Sequence, residues 1–143
     1  VMKGYWNKPD QTTETLSVDG WLRTGDLGHL DEKDRLFISA GRKKDLIIRA
    51  GENVSPLVIE NVLMSHPAIA EVAAVGIPDE RLGEKVKVFA VLREGQQATE
   101  QELKDLCRKK LPAFMTPDTF QFMESLPKTA TGKILKSELK STH

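Results

Sequence analysis

Ile69-Ala70-Glu71-Val72-Ala73-Ala74-Val75-Gly76-Ile77, Pro78-Asp79-Glu80-Arg81-Leu82-Gly83 and Lys85-Val86-Lys87-Val88-Phe89-Ala90-Val91-Leu92 follow one another along the chain. Val, Ala and Ile dominate the two outer runs, and branched side chains suit a pleated, half-buried surface. The middle segment supplies Pro, Asp and Gly, so the whole reads as two paired strands joined by a turn. Upstream, Pro56 stands where a helix can begin, because its fixed φ suits the first helical turn. Val58, Ile59, Val62 and Leu63 then recur on one helical face. Downstream, Thr99 with Glu102 three residues on is a capping-box signature, and Leu103, Leu106, Cys107 and Lys110 continue in helical register until Pro112. Thr119 to Met123 supplies one more strand, and Leu135 to Leu139 a last short helix. Interleaved strands and helices predict an α+β fold with a small, mainly antiparallel sheet flanked by helices.

Further outward the pattern loosens. Residues 1 to about 20 show neither the helical nor the strand period and read as loop with short turns. Gly28 to Leu30 and Leu36 to Ser39 flank Asp31-Glu32-Lys33-Asp34, whose residue types suit a hairpin turn. Gly41-Arg42-Lys43-Lys44-Asp45 packs four charges and a glycine into five residues, a composition suited to a solvated hinge between two bodies. Ala50-Gly51-Glu52-Asn53 reads as a turn.

The 143 residues allow one domain of ordinary size plus a leftover segment. Lys and Arg together number 21, as do Asp and Glu, so no bulk positive field exists to drive sequence-independent nucleic-acid binding. No uncharged apolar run is long enough for a transmembrane segment. The single cysteine, Cys107, cannot form an internal disulfide and reads as a core filler among leucines. His29, His66 and His143 do not cluster and have no partner at ligand spacing, so no metal site is expected. His66 before Pro67 reads as a helix end. Arg108-Lys109-Lys110 reads as a solvated helix end complementing the macrodipole, with a phosphate patch as the alternative. The opening Val1-Met2-Lys3-Gly4 is neither a signal peptide nor an obvious start, and reads as a cut inside a longer product.

Three segments place charge and glycine in combinations that packing alone does not require. In Gly20-Trp21-Leu22-Arg23-Thr24-Gly25-Asp26, a carboxylate follows a Thr-Gly turn, a geometry for accepting two hydrogen bonds from a vicinal diol; a structural turn Asp is the plainer reading. In Gly41 to Asp45 running into Gly51-Glu52-Asn53-Val54, Arg42 offers a planar fork of donors for phosphate or ribose oxygens, against a solvated charge run. In Pro127-Lys128-Thr129-Ala130-Thr131-Gly132-Lys133, a lysine after Thr-Gly stands at the tip of a mobile loop, where its ammonium can neutralise charge developing on a phosphate. The spacing is not that of a phosphate-cradling P-loop.

In this order, and with Gly4-Tyr5-Trp6-Asn7-Lys8-Pro9 before them, these segments resemble the C-terminal portion of the adenylate-forming superfamily: acyl-CoA synthetases, luciferases and peptide-synthetase adenylation domains. The resemblance implies that residues 1–41 are the tail of a large N-terminal domain, 42–45 the hinge and 46–143 the C-terminal lid domain. It implies that Asp26 and Arg42 bind the nucleotide, that Lys44 is the hinge residue, that Lys133 is the catalytic lysine of adenylation, and that Gly51 lines the CoA tunnel. ATP, CoA and Mg2+ would be held mainly by the missing N-terminal domain, the other partner being a small carboxylic acid. The implied enzyme is a cytoplasmic AMP-forming acid-thiol ligase, and the fragment alone is expected to be inactive. Val58 departs from the family's usual Glu two residues before Glu60, and Ile48 and Asn53 replace Lys and Gln of some relatives, so neither is given a catalytic role. Trp6 and Trp21 are expected to pack on the missing body, with stacking on a base as the alternative, and in the fragment exposed Tyr5, Trp6 and Trp21 are expected to drive self-association. The alternatives are the lid of a carrier-protein-loading adenylation domain and a non-catalytic binding module.

Overall fold

The computed structural model describes residues 2–141, so His143 lies outside the described residues. Two sheets carry the strands. The first pairs β1 (Asp26–Leu30) with β2 (Leu36–Arg42) as an antiparallel hairpin. The second has five strands: β3 (Ile47–Arg49), β4 (Glu52–Val54), β5 (Ile69–Asp79), β6 (Gly83–Leu92) and β7 (Thr119–Phe122). Its order is β4-β3-β6-β5, and β7 joins β6 in parallel while every other pairing is antiparallel. The α+β expectation, with a mainly antiparallel sheet, describes this arrangement.

The central hairpin forms where the two runs of Val, Ala and Ile predict it. Asp79 Oδ1 accepts from the backbone N–H groups of Arg81 and Leu82, each at 3.0 Å, and Gly83 takes the left-handed φ of 75° that closes the turn. Strand alternation then sorts the core by face. Val72, Ala74, Val86, Val88 and Ala90 turn to a cluster that includes Ile59 and Leu63 of α2 (Pro56–Met64) and Leu103 and Cys107 of α3 (Glu100–Lys110). Ala73, Val75, Ile77, Phe89 and Val91 turn to a second cluster, covered by Leu126 and by Leu139 of α4 (Lys136–Lys140). Both faces of β5–β6 are therefore buried, which explains the near-continuous apolar runs. Burial pushes the Cys107 thiol up to about 11, away from the reactive thiolate range.

Helix ends follow the sequence signals. Ser55 caps α2, accepting from Val58 N at 3.4 Å, with Pro56 at the first position. Thr99 and Glu102 form the full reciprocal capping box of α3. Some segments differ from expectation. Glu52 and Asn53, expected in a turn, belong to β4. Residues 1 to 20 lack both periods and predict loop, yet Pro9–Thr15 is a helix, α1, that buries no residue. It lacks the apolar stripe that helical periodicity requires and is nucleated instead by Pro9 at its start. The Thr12 hydroxyl holds it to the preceding turn, accepting from Tyr5 N at 2.9 Å.

Candidate functional site

Strand pairing brings Asp26 and Arg42 together. They are register partners at the open end of the β1–β2 hairpin, and Arg42 Nε lies 3.4 Å from Asp26 Oδ1. Lys43 N extends the pairing to Gly25 O at 2.9 Å. Both side chains are exposed, so the ion pair adds little stability and keeps its remaining donor and acceptor capacity for a ligand. Asp26 N donates to Thr24 Oγ1 at 3.1 Å, which shapes the Thr-Gly-Asp turn. Apart from its chain neighbours, no atom of the described residues lies within 4 Å of where a Cβ on Gly25 would stand, so the backbone at this turn is open to approach.

The segment Lys43–Asp45 is a single 3-10 turn linking β2 to β3, with Lys43 and Lys44 exposed. Lys44 and Arg42 together line two depressions. One, of about 570 Å³, also borders Tyr5, Thr15, Arg23, Thr24 and Gly25. The other, of about 600 Å³, borders Asp45, Lys133, Lys136 and Lys140. Lys133 thus lines one cavity with Arg42 and Lys44 although about ninety residues of chain separate them.

The loop that carries Lys133 is a tight hairpin rather than the loose tip suggested by its composition. Lys128 and Ile134 form an isolated antiparallel bridge, Leu135 N donates to Pro127 O at 2.8 Å, and Thr129 N donates to Lys133 O at 2.8 Å. Gly132 turns the chain with φ 81°, and Lys133 N donates to Thr129 Oγ1 at 3.1 Å. The Lys133 side chain is exposed.

Gly51 stands elsewhere. Arg49 and Glu52 are register partners, so Ala50 and Gly51 form a two-residue turn between β3 and β4, both left-handed at φ 51° and 85°. Ala50 N donates to Leu82 O at 2.7 Å, bracing this turn on the β5–β6 connection. Gly51 is exposed and does not border the Lys133 cavity. Of the sequence-derived candidates the fold therefore gathers Asp26, Arg42, Lys44 and Lys133, and sets Gly51 apart.

Sequence reasoning missed Lys136 and Lys140 as members of the cavity wall, since lysines in a short terminal helix look like ordinary solvated positions. With Arg42, Lys44 and Lys133, Lys140 makes a cationic wall whose acidic exception is Asp45, while the Lys136 ammonium is paired with Glu60 at 2.7 Å. Such a wall suits the phosphates of a nucleotide. It does not suit a divalent cation, and among the described residues no group of three or more His, Cys, Asp or Glu could hold one. Trp6 and Trp21 are 89% and 77% exposed, so neither is buried among the described residues. Among the described residues no helix is long and apolar enough to cross a membrane.

Comparison with known proteins bears on the family and the fold. The AMP-binding enzyme C-terminal domain family matches residues 58–133, more than half of the chain. A long-chain-fatty-acid–CoA ligase of Bacillus subtilis (strain 168) is 48% identical over 139 residues, covering 97% of this chain and 24% of that protein. The fatty acid–[acyl-carrier-protein] ligase ScoC of Streptomyces coeruleorubidus is also 48% identical over 139 residues, 97% of this chain and 26% of its own length. The chain spans about a quarter of the length of such relatives. Among solved structures, the o-succinylbenzoate CoA synthetase of Bacillus subtilis in complex with its acyl-adenylate intermediate superposes with a TM-score of 0.91 at 37% identity, over 100% of this chain and 29% of that one. The chain belongs to the AMP-binding enzyme C-terminal domain family, the C-terminal portion of adenylate-forming ligases.

Proposed function

We propose that this chain is the lid of an AMP-forming ligase joining a fatty or related carboxylic acid to CoA, with residues 1–41 the edge of the large body, 42–45 the hinge and 46–143 the lid. The observation that carries this reading is the meeting of Arg42, Lys44 and Lys133 around one cavity, beside Asp26. In the first half-reaction an oxygen of the acid's carboxylate attacks the α-phosphorus of ATP and the bond to pyrophosphate breaks. Lys133 donates to the acid and the α-phosphate, offsetting negative charge that concentrates there in the transition state. The Asp26 carboxylate accepts hydrogen bonds from the two ribose hydroxyls, and Arg42 holds ribose and phosphate oxygens. Mg2+, held by the large body, would neutralise the departing pyrophosphate. In the second half-reaction the CoA thiol attacks the acyl carbon and AMP leaves, after the lid has swung about Lys44 to bring the Gly51 turn to the CoA channel. The fragment alone would be inactive, because it spans only about a quarter of the length of such ligases.

The test uses the longer enzyme that carries this segment, with a panel of carboxylic acids. Lys133→Ala is expected to slow pyrophosphate release by about 10²-fold or more, as loss of one transition-state donor does, while thioester formation from supplied acyl-adenylate is largely kept. Equal adenylation by both enzymes would overturn the assignment. A second reading, loading of a carrier protein instead of free CoA, is supported by the equally similar acyl-carrier-protein ligase. Offering both thiols to the same enzyme separates the two.

A further inference from the structure

Lys133 owes its position to a short hairpin with two legs, and each leg ends in a lysine paired with a carboxylate of the domain's core. On the entering leg, Lys128 Nζ lies 2.7 Å from Glu71 Oε1 on β5. On the leaving leg, Lys136 Nζ lies 2.7 Å from Glu60 Oε1 on α2. Neither pairing is used by the chemistry derived above.

The Glu60–Lys136 pair has the marks of a fixed post. Its side chains are only 15% and 24% exposed, so solvent and salt screen it less than an ordinary surface pair. Glu60 is itself held by the sheet, since Oε1 also accepts from Ala74 N at 2.8 Å. At the other post, Oε2 of Glu71 is buried with no hydrogen-bond partner among the described residues, which leaves Lys128 as the partner offsetting that carboxylate's charge. On either side of the posts Leu126 and Leu139 are buried in the second core cluster, and between them Ile134 packs against it. Apolar packing holds the hairpin down but tolerates sliding, whereas two charge-assisted contacts of fixed geometry set where its tip points.

We propose that Glu60 and Glu71 are positioning residues for adenylation, clamping the two legs of the Lys133 hairpin through Lys136 and Lys128. This rests on the reading of Lys133 given above. The clamp explains how a lysine on an exposed loop could be delivered to the same spot each time the lid closes. A misplacement of even 1 Å costs up to about 10²-fold in rate.

The experiment measures both half-reactions and thermal stability of the longer enzyme for Glu60→Gln, Lys136→Met, the Glu60→Gln/Lys136→Met double variant, Lys136→Arg and Glu71→Gln. Glutamine at 60 keeps an acceptor for Ala74 N while removing the charge, so the fold is retained. Glu60→Gln and Lys136→Met are each expected to slow adenylation by about tenfold, within the cost of a small misplacement, and the double variant no further. Thioester formation from supplied acyl-adenylate should stay unchanged, Lys136→Arg should restore adenylation, and Glu71→Gln should reproduce the selective loss. Equal loss in both half-reactions with a lowered Tm would reduce the clamp to a structural tie and overturn the proposal. So would faster adenylation in Glu60→Gln with slower adenylation in Lys136→Met, the signature of Lys136 meeting phosphate directly. Were Lys133→Ala itself to adenylate normally, the reading of Lys133 would fall and this proposal with it. A defective Lys133→Ala beside normal clamp variants would overturn the clamp alone.

Discussion

Ala50 is a non-glycine residue held at φ 51°, a conformation that costs an L-residue with a Cβ roughly 1–2 kcal/mol. It is held there because a two-residue turn of this hand needs positive φ at both central positions, and because its N–H is bound by Leu82 O at 2.7 Å. Asparagine tolerates that region better and is the common first partner of glycine in such turns. Ala50→Asn is therefore expected to stabilise the β3–β4 hairpin by about 1 kcal/mol, read as slower hydrogen exchange of the Ile48 to Val54 amides. Faster exchange would mean that the Ala50 methyl makes contacts worth more than the strain. The sequence marks this place only as a turn. The choice of turn type comes from the register of Arg49 with Glu52, which no local pattern announces.

At the scale of elements, α3 was the most legible and α1 the least. Thr99 and Glu102 announce α3 because a capping box is a local exchange between residues three apart, and both halves are present: Glu102 N donates to Thr99 Oγ1 at 3.2 Å and Thr99 N to Glu102 Oε2 at 2.7 Å. The hydrogen bond from the Thr99 backbone N–H, with that from its hydroxyl, holds the Glu102 carboxyl below its usual range. A carboxylate depressed in the folded state stabilises above its unfolded pKa, and that contribution disappears as the pH falls through the folded value. The exchange difference in α3 between wild type and Glu102→Gln should accordingly be present at neutral pH and close under acid conditions; a difference constant down to the lowest pH would show that ionisation has no part in the cap. Thr99→Ala should cost about 1 kcal/mol, or about fivefold in exchange. By contrast α1 carries no apolar stripe, and the Asp26–Arg42 pairing was hidden because the strands run past the residues where hydrophobic alternation stops. The sequence marks Asp26 and Arg42 as separate turn and hinge residues; the ladder, through a register shift at Leu27/Gly28, makes them neighbours. Glu60 with Lys136 and Glu71 with Lys128 are likewise invisible before folding, since each joins residues far apart in sequence.

For the whole molecule, the separation of Gly51 from the Lys133 cavity is the feature with the widest consequence. A lid that served both half-reactions with one surface would gather all its functional residues at one place. Here the cationic wall and the glycine turn stand apart, which supports the proposed reading of a lid that presents two surfaces in succession. Gly51→Val tests this, because space and backbone speak separately at that position. Apart from its chain neighbours, no atom of the described residues lies within 4 Å of a Cβ placed on Gly51, so a Cβ there has open space, while φ 85° strains the turn. In the longer enzyme Gly51→Val is expected to leave pyrophosphate release within about twofold of wild type and to slow thioester formation from supplied acyl-adenylate by about 10²-fold, the penalty of blocking a positioned thiol. Lys133→Ala should give the reverse pattern. Strain alone would lower the Tm and depress both half-reactions by the same factor, so the ratio of the two rates is the diagnostic quantity. An unchanged ratio in Gly51→Val would remove Gly51 from the CoA channel, and with it the need for a second working surface on this domain.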